Sequence, residues 1–149
     1  MQIYIDADGC PVVDEAIALC KAFSLPCTIL CDTAHQIERD GARTLVCSKG
    51  ADSVDFTLVN LIASGDVVVT QDYGLAAMCL ARGTFPIHQD GYFYTNENID
   101  ALLLARHTSA KVRRAGGRFK TTPKRTKEQS QAFCNALKSF LETKTTRLE

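Results

Sequence analysis

Short apolar runs rich in β-branched residues alternate with longer stretches of helical periodicity, and this alternation constrains the fold more than any other feature of the sequence. Five runs predict strands, at residues 2–6, 27–30, 44–47, 67–70 and 84–88. Five stretches predict helices, at residues 11–23, 52–63, 73–82, 95–114 and from 126 onward. Strands that alternate with helices of ten or more residues are typical of a parallel sheet, because each parallel pair needs a crossover connection.

The predicted strands are almost uniformly apolar, which is the pattern of a sheet buried on both faces. We therefore predict an α/β fold, a three-layer sandwich with a central, mainly parallel sheet of about five strands. At 149 residues the chain has room for one domain. We place the α/β domain at residues 1–115.

We expect residues 116–149 to form a basic linker and an amphipathic helix that packs on the same domain. The linker is indicated by a change to Gly, Thr, Pro and basic residues at 116–125. The helix is indicated by a capping-box pattern at 126–129 and by an apolar stripe of Phe133, Leu137, Phe140 and Leu141.

The formal net charge of zero hides a strong segregation of charge along the chain. Residues 1–105 carry 14 acidic and 5 basic side chains, whereas residues 106–149 carry 12 basic and 3 acidic ones. Residues 106–127 hold nine basic residues and no acidic one. This asymmetry is typical of proteins that handle a polyanion, so we expect RNA or another phosphate-bearing substrate as partner. The alternative is a solvated arm, or a segment that docks on the acidic body.

Membrane and disulfide-rich secreted proteins are disfavoured. No apolar run approaches the ~20 residues of a spanning helix, and the first residues lack the regions of a signal peptide. Seven cysteines without framework spacing indicate reduced thiols, so we expect a cytoplasmic protein with no membrane partner. Cys27, Cys31 and His35 have a zinc-like spacing but lack a fourth ligand, and we interpret Cys10 as a small structural residue.

Acidic residues follow most of the predicted strands, at the edge where ligands bind in open parallel sheets. They are Asp6 and Asp8 after the first strand, Asp32 after the second, Asp52 and Asp55 in the helix after the third, Asp72 after the fourth and Asp90 after the fifth. Carboxylates ~4 Å apart repel by about 4 kcal/mol at an effective dielectric constant near 20, so a cluster needs a divalent cation or a shared proton. Oxygen ligands suit Mg²⁺ or Mn²⁺, which can activate water and offset charge on a phosphate.

Several of these acids also have structural interpretations, which the sequence leaves open. Asp72 can cap the helix that follows it, and Asp52 with Asp55 fits a capping pattern. Asp32 is interpreted mainly as a turn residue, and Asp90 precedes a glycine in another turn signal.

Asp6 and Asp8 are the strongest site candidates, because two acids directly after a buried strand have no capping purpose. The helix that we predict to begin at Pro11 would direct its free N–H groups into the same crevice, where they favour a phosphate. His35 is open between a substrate-binding residue and a loop hydrogen-bonder.

Three segments of the sequence are distinctive: Asp-Ala-Asp-Gly-Cys-Pro-Val at 6–12, Gly-Asp-Val-Val-Val-Thr-Gln-Asp-Tyr-Gly-Leu-Ala at 65–76 and Arg-Arg-Ala-Gly-Gly-Arg at 113–118. They resemble the signature segments of the YaiI/YqxD family of small bacterial proteins, and the resemblance runs from residue 2 to about 141. The chain has Gly9 where the family usually has Ala, and Gly74 where it often has Pro. Neither difference removes an acid.

The family's fold is thought to be similar to that of the PIN-like nucleases, so the resemblance implies a PIN-like fold. PIN-like nucleases gather acidic residues at the carboxyl edge of a parallel sheet, where these hold Mg²⁺ or Mn²⁺ for RNA cleavage. Carried over by position, the resemblance implies that Asp6, Asp55 and Asp72 are metal ligands, with Asp90 as a fourth. Asp8 is particular to this family's pattern.

Three functional hypotheses follow. The first is a metal-dependent ribonuclease, with catalytic residues Asp6, Asp8, Asp55 and Asp72, metal ligands Asp6, Asp55, Asp72 and Asp90, and substrate-binding residues His35, Lys49, Arg113, Arg114 and Arg118. The second is a phosphatase of the haloacid-dehalogenase type, in which Asp6 is the nucleophile, Asp8 the general acid and Lys49 steadies the phosphoryl group. The third is a non-catalytic RNA-binding protein. Each is compatible with a homodimer.

Overall fold

The computed structural model describes residues 1–48, 50, 53–114, 116 and 124–148. For several residues between 106 and 114, Arg113 and Arg114 among them, and for Leu148, it describes the backbone alone. The predictions for Lys49, Asp52 and Arg118 therefore lie outside the described residues, as do those for the side chains of Arg113 and Arg114.

Five strands and five helices form within the described residues. The strands are β1 (Ile3–Asp6), β2 (Cys27–Asp32), β3 (Arg43–Cys47), β4 (Val67–Val69) and β5 (Phe85–Ile87). The helices are α1 (Val13–Ala22), α2 (Ser53–Leu61), α3 (Tyr73–Ala81), α4 (Asn96–Arg114) and α5 (Lys127–Leu148).

The five strands form one sheet in the order β3-β2-β1-β4-β5, and every pair of neighbouring strands is parallel. In the register of the two central strands, Ile3 lies opposite Val67 and Ile5 opposite Val69. An isolated antiparallel bridge joins Ile87 to Phe93 beside β5. The predicted α/β fold with a central sheet of five strands is confirmed.

Helices α1 and α5 cover one face of the sheet. Ile3, Ile5, Val67 and Val69 are fully buried on this face, because alternate residues of a strand point to the same side. The predicted apolar stripe of α5 enters the same core, where Phe133, Leu137 and Leu141 are almost completely buried. The last helix of the chain is therefore part of the main core of the fold.

Helices α2 and α3 cover the opposite face, where Tyr4, Leu30 and Val68 pack against Leu58 and Leu75. Helix α4 lies outside this layer. It packs on α3 through a smaller core formed by Ala76, Tyr94 and Ile99. The two helical layers and the sheet between them make the predicted three-layer sandwich.

The helix starts differ in how well the sequence predicts them. Helix α1 begins at Val13 and not at Pro11, because Val12 has a non-helical φ of −119°. The Val12 side chain is fully buried in the core. Helix α5 begins where its capping box predicts. The Thr126 N–H donates to Gln129 Oε1 (2.8 Å), and the Gln129 N–H donates to Thr126 Oγ1 (3.4 Å).

Candidate functional site

The strand order creates a crevice at the carboxyl ends of β1 and β4. From β1 the chain moves outward through β2 to β3, and it then crosses back to β4 on the other side of β1. In open parallel sheets this reversal point is where ligands bind. Asp6 is the last residue of β1, and Asp72 lies three residues after the end of β4. The two acids therefore reach the same crevice from neighbouring strands.

Thr70 connects these two acids. Its hydroxyl donates a hydrogen bond to Asp6 Oδ2 (2.8 Å), and the hydroxyl oxygen, Thr70 Oγ1, accepts one from the Asp72 N–H (3.0 Å). Thr70 is 1% exposed, so this connection is shielded from water. From its sequence pattern alone, Thr70 is predicted only as the last residue of a strand. Its signal was the strand register, which places it beside Asp6 one step beyond the pair of Ile5 and Val69.

The electrostatics of Asp6 show that the predicted acids share one environment. Burial raises the pKa of Asp6 to about 6, while the hydrogen bond from Thr70 opposes the shift. The charges of Asp55, Asp72 and Asp8 raise this pKa further. We call Asp6, Asp55 and Asp72 the inner carboxylates. Residues that are far apart in the sequence thus meet at this edge of the sheet.

Asp72 also caps helix α3, as one of its two interpretations predicted. Its Oδ1 accepts a hydrogen bond from the Leu75 N–H at 3.2 Å. A carboxylate has two oxygens and about four acceptor positions, so capping does not prevent ligand binding. Asp55 lies in the first turn of α2, on the layer that covers this side of the sheet.

A second group lies at the mouth of the crevice and consists of Asp8, Asp32 and His35, which we call the outer group. His35 Nδ1 lies 3.0 Å from Asp32 Oδ1 and 3.4 Å from Asp8 Oδ1. In the described part of the chain, this is the one set of three potential ligands whose atoms all lie within 4.8 Å of one another. The inner carboxylates do not form such a set, so their oxygens do not all lie within 4.8 Å of one another.

The outer group is exposed and is built on two turns. The side chains of Asp8, Asp32 and His35 are 50%, 23% and 61% exposed. Gly9, with a φ of +68°, allows the turn after β1 that carries Asp8. Asp32 fulfils its predicted turn role, since its Oδ1 accepts hydrogen bonds from the N–H groups of Ala34 (2.9 Å) and His35 (2.8 Å).

The pKa of Asp32 is lowered by this arrangement. Desolvation acts in the raising direction, but the hydrogen bonds from the His35 ring and from the Ala34 N–H outweigh it. Asp32 is therefore stabilised as an anion by its neighbours, in contrast to Asp6.

Asp90 lies at the same edge, after β5, and it pairs with Arg125. The Arg125 guanidinium contacts Asp90 Oδ1 through Nη1 and donates to the Gln89 carbonyl through Nη2 (2.7 Å) and to Ser130 Oγ through Nε (3.2 Å). This ion pair competes with the predicted role of Asp90 as a fourth metal ligand. It also fixes the end of the basic segment beside the crevice.

The side-chain oxygen Oε1 of Gln89, next to Asp90, is buried and has no hydrogen-bond partner among the described residues. A buried acceptor without a partner costs about 1–3 kcal/mol, so this oxygen lowers the stability of the carboxyl end of β5.

Within the described residues, Cys10 fits its structural interpretation and the zinc-like spacing does not bring its three residues together. Burial raises the pKa of Cys10 to about 11, as expected for a structural thiol. Cys27 and Cys31 are buried in β2, and the Cys31 thiol faces the Leu45 carbonyl at 4.0 Å. Because His35 points to Asp8 and Asp32, these residues form no zinc site within the described chain.

Fold and site together define a class: an α/β protein with an acidic pocket at the carboxyl edge of a parallel sheet. Comparison with known sequences then gives the family. The model described as "Uncharacterized BCR, YaiI/YqxD family" matches residues 4–143, so the chain belongs to the YaiI/YqxD family, as its signature segments predicted.

The family is represented in several bacteria. A "UPF0178 protein" from Exiguobacterium sibiricum is 51% identical over 145 residues, which is 97% of this chain and 99% of the relative. One from Ruminiclostridium cellulolyticum is 45% identical and covers 95% of this chain and 92% of its own length. One from Bacillus cereus is 40% identical, with 95% and 99% covered. No solved structure matches the chain.

None of the helices in the described part of the chain is both long and apolar enough to cross a membrane.

Proposed function

We propose that this protein is a divalent-metal-dependent nuclease that hydrolyses RNA at the inner carboxylates. The observation that carries the proposal is the environment of Asp6. It is a largely buried acid whose pKa is raised to about 6 by burial and by three neighbouring carboxylates. Such an arrangement is costly in the absence of a counter-charge, and perturbed acids of this kind are concentrated in functional sites.

The donor set fits Mg²⁺ or Mn²⁺. The groups at the crevice are carboxylates and the Thr70 hydroxyl, so all of them offer oxygen atoms. Hard divalent cations prefer oxygen ligands. Asp6, Asp55 and Asp72 would hold the cation. A bound divalent cation supplies a Lewis acid that activates water and offsets negative charge on a scissile phosphate.

Two further residues are assigned roles beside the cation ligands. Thr70 fixes the orientation of the Asp6 carboxylate and of the Asp72 backbone, so both acids are positioned before a substrate arrives. We assign to Asp8, on the exposed turn after β1, the acceptance of a proton from the attacking water or its orientation.

The charge distribution supports RNA as the substrate. A phosphate chain would meet repulsion from the acidic body, and the basic residues of 106–127 would supply its affinity. Arg125 holds the end of this segment at the crevice through Asp90 and the Gln89 carbonyl. We assign Arg113, Arg114 and Arg118 to binding of the strand.

The test combines cation binding with cleavage. Calorimetric titration with Mn²⁺ and Mg²⁺ is carried out on the wild type, on Asp6→Asn and on Asp14→Asn. The last is a control, because Asp14 is an exposed acid in the first turn of α1. The same proteins are incubated with end-labelled single-stranded RNA. We expect wild type and Asp14→Asn to bind the cation and cleave RNA, and Asp6→Asn to do neither.

Other outcomes identify the competing functions. Hydrolysis of a chromogenic phosphomonoester with a trapped aspartyl-phosphate at Asp6 would establish the phosphatase. Salt-sensitive RNA binding without cleavage would establish a non-catalytic RNA-binding protein. Absence of cation binding at millimolar Mn²⁺ would refute the proposal.

A further inference from the structure

Three of the four tyrosines of the chain lie together beside the inner carboxylates. Tyr73 follows Asp72 at the start of α3, while Tyr92 and Tyr94 lie between β5 and α4. The ring centroids of Tyr73 and Tyr94 are 6.0 Å apart, and those of Tyr92 and Tyr94 are 5.5 Å apart, both in edge-on geometry. We call these three residues the tyrosine cluster.

The cluster is connected to the crevice by hydrogen bonding and charge. Tyr94 is 2% exposed, and its hydroxyl donates to the carbonyl of Thr70 (3.1 Å), the residue that links Asp6 and Asp72. Burial and the neighbouring tyrosines raise the pKa of Tyr94, and the charge of Asp72 adds to this shift. Burial also raises the pKa of Tyr92, and the charge of Asp90 adds to this shift. The Tyr92 and Tyr94 phenols therefore remain neutral beside the acidic cluster.

Tyr92 has the geometry of a platform. The His88 ring stacks on it with centroids 4.4 Å apart and an interplanar angle of 9°. His88 is itself buried, and its Nδ1 accepts a hydrogen bond from the Asp90 N–H (3.0 Å), so the supporting ring is fixed. Burial lowers the pKa of His88, which keeps the ring neutral at pH 7. Tyr92 and Tyr73 are only half-buried, in contrast to Tyr94.

We propose that Tyr92, supported by His88, stacks a nucleobase of a single-stranded nucleic acid whose phosphate lies at the inner carboxylates. The position of the phosphate rests on the proposed nuclease function, whereas the stacking does not. An aromatic ring can stack only on a base whose face is uncovered, so the platform selects unpaired nucleotides. It also accounts for affinity close to an acidic pocket, because stacking needs no positive charge.

The composition of the chain provides a direct optical probe. The protein contains no tryptophan and four tyrosines, and the fourth, Tyr4, is buried on β1. In a Tyr4→Phe background all tyrosine emission comes from the tyrosine cluster. We would titrate this protein with deca-uridylate and with an abasic decamer that has the same number of phosphates. The buffer contains Ca²⁺, and recovery of intact oligonucleotide on a gel confirms that no cleavage occurs.

We expect deca-uridylate to quench the tyrosine emission and the abasic decamer to leave it unchanged. Tyr92→Leu, which removes the ring, should weaken binding of deca-uridylate by about tenfold, the usual effect of losing one stacked base. Binding of the abasic decamer should not change. Tyr92→Phe, which keeps the ring and loses the hydroxyl, should bind deca-uridylate within about twofold of the parent, because the π-face carries the stacking.

Phe93→Leu is the matched control, because Phe93 is a neighbouring half-buried aromatic residue that packs on Phe140 of α5 instead. It should bind both oligonucleotides as the parent does. The proposal is overturned if the two oligonucleotides bind equally, if neither binds at low salt, or if Tyr92→Leu behaves as Phe93→Leu. If the protein fails this test but cleaves RNA, the stacking proposal is wrong and the nuclease proposal stands. If binding depends on Tyr92 but no RNA is cleaved, the stacking proposal stands and the nuclease proposal is wrong.

Discussion

The inner carboxylates and the outer group lie at the same edge of the sheet but differ in how the fold treats their charge. Asp6 is held at the end of a buried strand, and burial with three like charges raises its pKa to about 6. Asp32 is held on an exposed turn, and its hydrogen bonds lower its pKa. Asp6 therefore carries unfavourable electrostatic free energy, whereas Asp32 is already stabilised as an anion by its neighbours.

This difference indicates which group should respond to a cation. A divalent ion gains most where it relieves repulsion that the fold has imposed, which is at the inner carboxylates. At the outer group it must displace hydrogen bonds that already stabilise the carboxylates. We therefore expect the inner carboxylates to determine activity and the outer group to modulate it.

We expect the largest effect, on the rate of RNA cleavage, from a pair of substitutions, one in each group. Both preserve the local hydrogen bonds of the residue that they replace. Asn caps helices as well as Asp does, so Asp72→Asn keeps the cap of α3 while it removes a charge. Asp32→Asn likewise keeps the turn at Ala34 and His35. We expect Asp72→Asn to lower the rate of RNA cleavage by about 100-fold and Asp32→Asn by less than about fivefold. Equal losses would remove the distinction between the groups.

The second prediction concerns the stability of the cation-free protein. Because the pKa of Asp6 is about 6 in the fold and 3.8 as a reference, the folded state binds the extra proton between these values. The contribution of Asp6 to stability therefore falls as the pH rises from 4 to 6, by about 3 kcal/mol. Asp6→Asn should be more stable than wild type by about 1–3 kcal/mol at pH 8 and equal to it below pH 4.

Urea unfolding at several pH values measures this difference, with Asp14→Asn as the control that should show none. Saturating Mn²⁺ should stabilise the wild type and leave Asp6→Asn unchanged. A stability difference that is independent of pH would show that repulsion at Asp6 is not its source.

The third prediction compares two buried threonines. Thr70→Val removes the donor to Asp6 and leaves the Asp72 N–H without its acceptor, which should cost about 1–3 kcal/mol. Thr84→Val removes the hydrogen bond to the Cys79 carbonyl, just before the start of β5 and with no direct contact to an acid, and should cost about 1 kcal/mol. Only Thr70→Val should raise the pKa of Asp6 further and shift the pH profile of cleavage upward. A shift in both variants would contradict the role assigned to Thr70.

The smallest expected effect belongs to His35. Its ring belongs to the exposed outer group and not to the inner carboxylates that we assign to the cation. His35→Gln should therefore reduce the affinity for Mn²⁺ and for Mg²⁺ by less than about threefold, as measured by calorimetry. A loss of all cation binding in this variant would place the principal site at the outer group and reverse the comparison.

The sequence predicts the fold and the meeting of Asp6 with Asp72 for one shared reason. Uniformly apolar strands imply a parallel sheet, and the carboxyl ends of parallel strands meet at one edge. The role of Thr70 needed the register of β1 against β4, which an apolar pattern does not contain. The outer group needed the shapes of two turns, including the positive φ of Gly9. The pairing of Asp90 with Arg125 depends on how α5 docks, and no local pattern specifies that.

The position of α5 in the core has a consequence for the newly made chain. The face formed by Ile3, Ile5, Val67 and Val69 is covered by residues as late as Leu141. At a synthesis rate of about 5–20 residues per second, roughly 4–14 seconds separate the appearance of Val69 from that of Leu141. During that interval this face of the central strands lacks its cover, and the core is completed only after residue 141 has emerged.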